Sequence, residues 1–126
     1  MPRILVVEDE PLISMLMQDW LQELGYEVAG PARTEQAAFD YLKMGRLDAA
    51  ILDIHLKDGE TYGLAGALRE QGVPVAFASG DGGPSAPGFE DHPVLRKPFD
   101  FAAMKTVLGE LLDGEPRQKS GLAVGP

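Results

Sequence analysis

The chain has 126 residues, 44% of them apolar, and a formal net charge of −9. That length suits one hydrophobic core and is too short for a DNA-binding or catalytic domain beside a full α/β unit. The negative charge disfavours nucleic acid and anionic membrane surfaces, and the lack of cysteine removes disulfide and thiolate chemistry, which fits the cytosol.

In chain order, residues 3–8 read as a first strand around Ile4-Leu5-Val6-Val7. Short apolar runs rich in β-branched residues are expected to be strands buried on both faces. No signal-peptide pattern precedes it, and no apolar stretch is long enough for a membrane span. Pro11 to Leu24 reads as a helix, with Pro11 in the first turn, where its missing N–H costs nothing. Leu12, Leu16 and Trp20 (or Leu21) are expected to face the core, and Gly25 to end the helix. Tyr26–Ala29 is a second strand, expected at an edge. Thr34 caps a helix running to about Met44. Asp48 leads into a third strand, Ala49-Ala50-Ile51-Leu52, ending at Asp53. Asp58-Gly59 marks a turn, and a helix weakened by Gly63 and Gly66 spans about Thr61 to Gln71.

Pro74 to Ala78 is the fourth strand, its proline at the start, where strands tolerate one. Residues 80–92 contain Gly80, Gly82, Gly83, Pro84, Pro87 and Gly88. Where the repeating pattern calls for a fourth helix, this composition predicts a loop or at most one turn. Pro93–Arg96 is the fifth strand, and Phe99 to Leu112 the last helix. Residues 114–126, with little apolar periodicity, are expected to be a disordered tail after a domain covering 1–113. Alternating strands and helices imply a parallel sheet with helices on both faces.

Three of these strands end in chemistry. Glu8-Asp9 follows the first, Asp53 ends the third and Lys97-Pro98 follows the fifth. Sites in open α/β sheets form outside the carboxyl ends of the strands. Three carboxylates there are costly unless a cation joins them. Hard oxygen donors without cysteine or paired histidines suit Mg2+, with Mn2+ possible, better than zinc. An aspartate in such a site can also be a nucleophile toward phosphorus, giving an aspartyl phosphate. Lys97 can neutralise phosphoryl oxygens, and Ser79, ending the fourth strand, can donate a hydroxyl hydrogen bond to the same group.

With these residues in place, the chain resembles the receiver domains of two-component response regulators from residue 3 to about 112. Val-Val-Glu8-Asp9-Glu matches their acidic pair. Ile-Leu-Asp53-Ile-His-Leu-Lys-Asp-Gly matches their phosphoacceptor strand and loop. Phe-Ala-Ser79-Gly and Leu-Arg-Lys97-Pro-Phe match their hydroxyl and lysine positions, the latter with an expected cis proline. The resemblance implies a flavodoxin-like five-stranded sheet of order 2-1-3-4-5. It implies phosphorylation of Asp53 by a histidine kinase or histidine phosphotransfer protein. Mg2+ would be bound directly by Asp9 and Asp53, through water by Glu8 and through its backbone carbonyl by His55, with Ser79 and Lys97 holding the phosphoryl group. An unidentified downstream protein would receive the signal, the chain being a monomer or weak dimer.

Some positions depart from that family. Val94 stands where most receivers carry an aromatic, and Lys57 where many carry proline. Phe77-Ala78-Ser79-Gly80, Pro98-Phe99 and the Gly/Pro-rich segment resemble the subgroup named for a Phe-Ala-Thr-Gly signature, often single-domain proteins. That subgroup commonly has an apolar residue and then tyrosine after the signature; here Asp81 interrupts it.

Blander readings compete at each position. Glu8-Asp9 alone is a solvated turn, Lys97 alone a surface lysine, Ser79 alone unremarkable. His55 and Asp81 are either solvated loop residues or neighbours that tune phosphate lifetime, and Trp20 reads as packing. Among other functions, a receiver that binds partners without phosphorylation is opposed by the intact carboxylate–lysine set. A phosphatase would want an acid where His55 stands. A flavin phosphate would be repelled by Glu8-Asp9-Glu10.

Overall fold

Each of the expected apolar runs forms a strand. The computed structural model describes residues 1–80 and 82–113. In chain order its elements are β1 (Arg3–Val7), α1 (Pro11–Glu23), β2 (Glu27–Ala32), α2 (Glu35–Met44), β3 (Ala49–Asp53), β4 (His55–Leu56), β5 (Gly59–Glu60), α3 (Tyr62–Glu70), β6 (Val75–Ser79), β7 (Val94–Arg96) and α4 (Phe101–Asp113). Five strands form one parallel sheet, ordered β2-β1-β3-β6-β7. This is the expected 2-1-3-4-5 order once the small β4–β5 hairpin is set aside. The hairpin itself was not expected; its two-residue loop, Lys57-Asp58, lies at the anticipated turn.

Strand alternation divides the core in two. Leu5, Val7, Ala50, Leu52, Val75 and Phe77 pack with Ala38 of α2 and Leu64 and Leu68 of α3. Ile4, Val6, Ile51, Ala76, Ala78 and Leu95 pack with Met17 and Leu21 of α1 and Met104 and Leu108 of α4. Each fully buried large side chain contributes roughly 1.5–3 kcal/mol of transfer free energy. The strand ends that carry the acids therefore rest on a firmly packed sheet.

Helix ends follow local chemistry. The Thr34 hydroxyl accepts the Ala37 N–H at 3.1 Å, the cap expected for α2. Asp100 does the same for α4, accepting from Ala103 at 2.8 Å, so that helix starts two residues later than expected. The edge strand β2 is longer than expected and carries a cis Gly30-Pro31 bond. Gly30 has φ +111°, and a Cβ there would lie 2.8 Å from the Val6 carbonyl oxygen, so only glycine fits. The expected cis bond at Lys97-Pro98 is present.

The expected core face of α1 is corrected. Leu12 is 65% and Leu16 38% exposed. The inward residues are Ser14, Met17 and Leu21, with Ile13, Trp20 and Leu24 partly buried beside them. Apolar residues occupy most faces of α1, so spacing alone admitted two rotations about 100° apart. Trp20 meets Phe99 and Phe101 edge-to-face, both at 6.2 Å, and ties α1 to the start of α4.

No helix occurs among the described residues between β6 and β7, as the glycine and proline content predicted. Phe89 fills the space instead, 5.7 Å from Phe77 and 5.5 Å from Tyr62, with the Arg69 guanidinium 4.7 Å from its ring. Asp81 and the expected tail, 114–126, lie outside the described residues. Among those described, no helix is long and apolar enough to cross a membrane.

His92 packs on Phe77 and Phe89 at 5.6 and 5.4 Å, and its buried Nδ1 has no hydrogen-bond partner among the described residues. Burial, then the nearby Arg69 charge, hold it below its ordinary pKa of 6.5, against the opposing pull of the Phe89 main chain and of Asp91. The unfolded chain therefore takes up this proton first as pH falls. The stabilising contribution is complete above 6.5 and is lost as pH drops through the folded value. Thermal unfolding from about pH 7.5 to about pH 5.5 should show a smaller acid loss in His92→Phe than in the parent chain. Equal losses would remove His92 as the cause.

Candidate functional site

The register of β1 beside β3 pairs Val7 with Leu52, so Glu8 and Asp9 emerge next to Asp53 at the same sheet edge. One carboxylate oxygen from each of Glu8, Asp9 and Asp53 lies within 4.8 Å of the others. Glu8 is 1% and Asp53 7% exposed; Asp9 is partly buried.

Main-chain amides aim each carboxylate. Glu8 Oε2 accepts from the Glu10 N–H at 3.1 Å, and Asp53 Oδ1 from His55 at 3.2 Å. Asp9 Oδ2 accepts from Lys57 at 2.8 Å, which fastens the loop of the β4–β5 hairpin to the end of β1. These donors were invisible in the sequence, because every non-proline residue carries the same N–H.

Lys97 follows β7 and reaches back across the sheet edge. Its Nζ donates a hydrogen bond to Asp53 Oδ2 at 3.0 Å and lies 2.9 Å from Glu8 Oε1 as an ion pair. Burial pulls the lysine pKa down, but its contacts with Glu8 and Asp53 outweigh burial and hold it above 10.5. Burial raises Glu8 above 4.5; the Lys97 contact opposes that rise and the Asp53 charge adds to it. With every group ionised, three carboxylates and one ammonium leave two excess negative charges, the charge of one divalent cation. The hard oxygen set, its main-chain orientation and its charge fit such a cation.

Ser79 ends β6, buried, one residue beyond the Ala78 that pairs with Asp53. Its carbonyl accepts the Lys97 N–H at 2.8 Å, so the hydroxyl-bearing residue and the lysine are joined through the main chain. His55 is the first residue of the hairpin. Its exposed ring makes a 3.5 Å contact with Glu60 across the hairpin rather than turning toward the acids.

Sequence reasoning missed Thr61. It is fully buried, and its hydroxyl donates to the Asp53 carbonyl at 2.8 Å. At the head of α3 it reads as a helix start. Nothing in its spacing reveals that the hydroxyl serves the end of β3 instead of capping the helix.

Comparison with known proteins places the chain in a family. The family model for the response regulator receiver domain matches residues 4–108. The chain is 34% identical over 115 residues to the phyllosphere-induced regulator PhyR of Methylorubrum extorquens, covering 86% of this chain and 43% of that protein. It thus spans less than half of that relative's length. The solution structure of SdrG from Sphingomonas melonis is 38% identical with a TM-score of 0.78, covering 89% of this chain and 97% of SdrG. A chain from the crystal structure of the histidine kinase ThkA in complex with the response regulator TrrA is 29% identical with a TM-score of 0.76, covering 90% of this chain and 100% of its own.

Proposed function

Because the chain belongs to the response regulator receiver domain family, we propose that it is a phosphorylatable signalling switch. Asp53 would accept a phosphoryl group from a phosphohistidine of a histidine kinase or histidine phosphotransfer protein. The modified chain would then act by protein–protein contact or pass the group on in a relay. The observation that carries this reading is the buried Asp53 carboxylate, held by the His55 amide and Lys97 beside two further acids. Phe77-Ala78-Ser79-Gly80 and the absence, among the described residues, of a helix between β6 and β7 support the Phe-Ala-Thr-Gly subgroup. The receiver reading covers residues 1–113.

In the transfer step, an Asp53 oxygen forms a bond to phosphorus while the phosphorus–nitrogen bond breaks, and its electron pair stays on the donor imidazole. Lys97 and Ser79 would hold the phosphoryl oxygens. Glu8, Asp9, Asp53 and the His55 carbonyl would hold Mg2+ or Mn2+. That ion, when bound, neutralises the charge developing on the phosphoryl group. Glu8 keeps Lys97 close to Asp53, and the His55 amide fixes the acceptor carboxylate.

Incubation with acetyl phosphate and Mg2+ should add one base-labile phosphoryl group per chain, seen by mass spectrometry. EDTA or Asp9→Asn should reduce loading about 100-fold or more. Loading that ignores both would dismiss the metal set; no loading at all would sink the switch itself.

The face of α1 that turned outward has a place here. Leu12, Met15 and Leu16 are exposed just after the acidic pair. Beside them a cavity of about 90 Å3 is lined by Ile13, Leu16, Trp20, Lys97 and Phe99. A protein that delivers phosphohistidine to Asp53 must cover this rim, and an apolar, histidine-bearing helix matches it. The double substitution Leu12→Glu, Leu16→Glu should slow transfer from a histidine kinase at least about 10-fold, since each alters an interface contact. It should leave loading by acetyl phosphate unchanged. Slowing both equally would place the defect in the site, not in docking.

A further inference from the structure

Residues 82–92 replace a helix, yet they are fastened to α3 at defined points. The Tyr62 hydroxyl accepts the Ser85 N–H at 2.8 Å, and Arg69 Nη1 donates to the Gly88 carbonyl at 2.7 Å while its guanidinium lies over Phe89. The Tyr62 ring touches both Phe77 of β6 and Phe89 of the segment. Tyr62 is the residue after Thr61. Thr61 is bound to the phosphoacceptor strand twice, through its hydroxyl to the Asp53 carbonyl at 2.8 Å and through its N–H to the Ile54 carbonyl at 3.1 Å. The α3 start is arranged to leave that hydroxyl free for Asp53. Glu35 of α2 accepts the Leu64 N–H at 3.0 Å, the bond a helix-capping side chain would otherwise supply.

We propose that Thr61 and Tyr62 are positioning residues that carry the state of Asp53 to the segment 82–92. The inference rests on the phosphoacceptor reading of Asp53. A phosphoryl group adds charge and strong acceptors at Asp53, and the local main chain must shift to admit them. Thr61 follows the Asp53 carbonyl, and Tyr62 follows Thr61. The Tyr62–Ser85 hydrogen bond is directional, so small displacements weaken it. Val94, on β7, is too small to relay such a movement as a rotating ring. Tyr62 supplies the ring from α3, on the face of the sheet where the missing helix would have packed.

The test is amide NMR of the chain with Mg2+ and beryllofluoride, a phosphoryl mimic, with fluorine NMR to count bound beryllofluoride. In the parent chain, loading should shift the Ser85–Phe89 amides. Tyr62→Phe keeps the ring and loses the hydroxyl. It should bind beryllofluoride as the parent does, while those shifts fall to half or less. Thr61→Ser should preserve them, and Thr61→Val should lose them. Full-size shifts in Tyr62→Phe, or a segment that does not respond in the loaded parent chain, would overturn the proposal. No bound beryllofluoride in the parent chain would overturn the phosphoacceptor reading with it, and fluorine NMR separates that failure from the others.

Discussion

Asp53→Ala is expected to take up no phosphoryl group under conditions that load the parent chain fully, and to remain folded. The carboxylate combines burial, a lysine contact and an oxygen within 4.8 Å of both Glu8 and Asp9. Asp53 is one of the influences that push Glu8 toward its neutral form. Removing it relieves a like-charge pair, so unfolding in Mg2+-free buffer should need no less heat than in the parent chain. Mass spectrometry after acetyl phosphate treatment reads the first effect and calorimetry the second. Phosphate retained in Asp53→Ala would move the acceptor elsewhere. Asp53→Asn separates the switch from a phosphorylation-independent binding module. The amide keeps an oxygen for the His55 N–H, and partner binding that is unchanged would favour the module.

Lys97→Met should lower acetyl phosphate loading by about 100-fold, the usual order for losing one donor to a developing oxyanion. It should also destabilise the chain without Mg2+. Removing one member of a buried pair costs roughly 3–5 kcal/mol; Lys97 keeps some solvent contact and Glu8 can protonate, which brings the expectation to about 2 kcal/mol. The lysine pKa is raised in the fold, so its stabilising contribution is whole below 10.5 and disappears as pH climbs through the folded value. The full cost should therefore appear at neutral pH. Mg2+ should recover part of it by supplying the missing positive charge. Urea unfolding with and without Mg2+ measures this; a variant as stable as the parent chain in both conditions would refute the account of Lys97 as the counterion of the acids.

The sheet was legible because its central strands, β1, β3 and β6, are buried on both faces. Val75 to Ala78 and Ile4 to Val7 have no polar interruption, and a run of that length and β-branched content has few other homes. The site was legible for a related reason. Strand ends are where an apolar run must stop, so Glu8, Asp9, Asp53 and Lys97 stand out against what precedes them. Helix α1 was harder. Leu12, Ile13, Met15, Leu16, Met17, Trp20, Leu21 and Leu24 cover about two-thirds of the circumference, and only packing against β1 and α4 selects one rotation. What holds the site was hidden for a third reason. The amides of Glu10, His55 and Lys57 have no residue type to mark them, and Thr61 resembles any helix-starting threonine. Residues that act through the main chain leave little trace in composition or spacing.

The placement of Trp20 carries one more consequence. It is the sole tryptophan of the chain, lying edge-on to Phe99, two residues past Lys97, and to Phe101. The cavity beside it is walled on one side by Lys97 itself. On the proposed reading, a metal or phosphoryl group at the acids would redistribute the contacts of Lys97, and Trp20 lines the same cavity as that lysine. The intrinsic emission of Trp20 offers an optical record of that redistribution in real time, with no label attached.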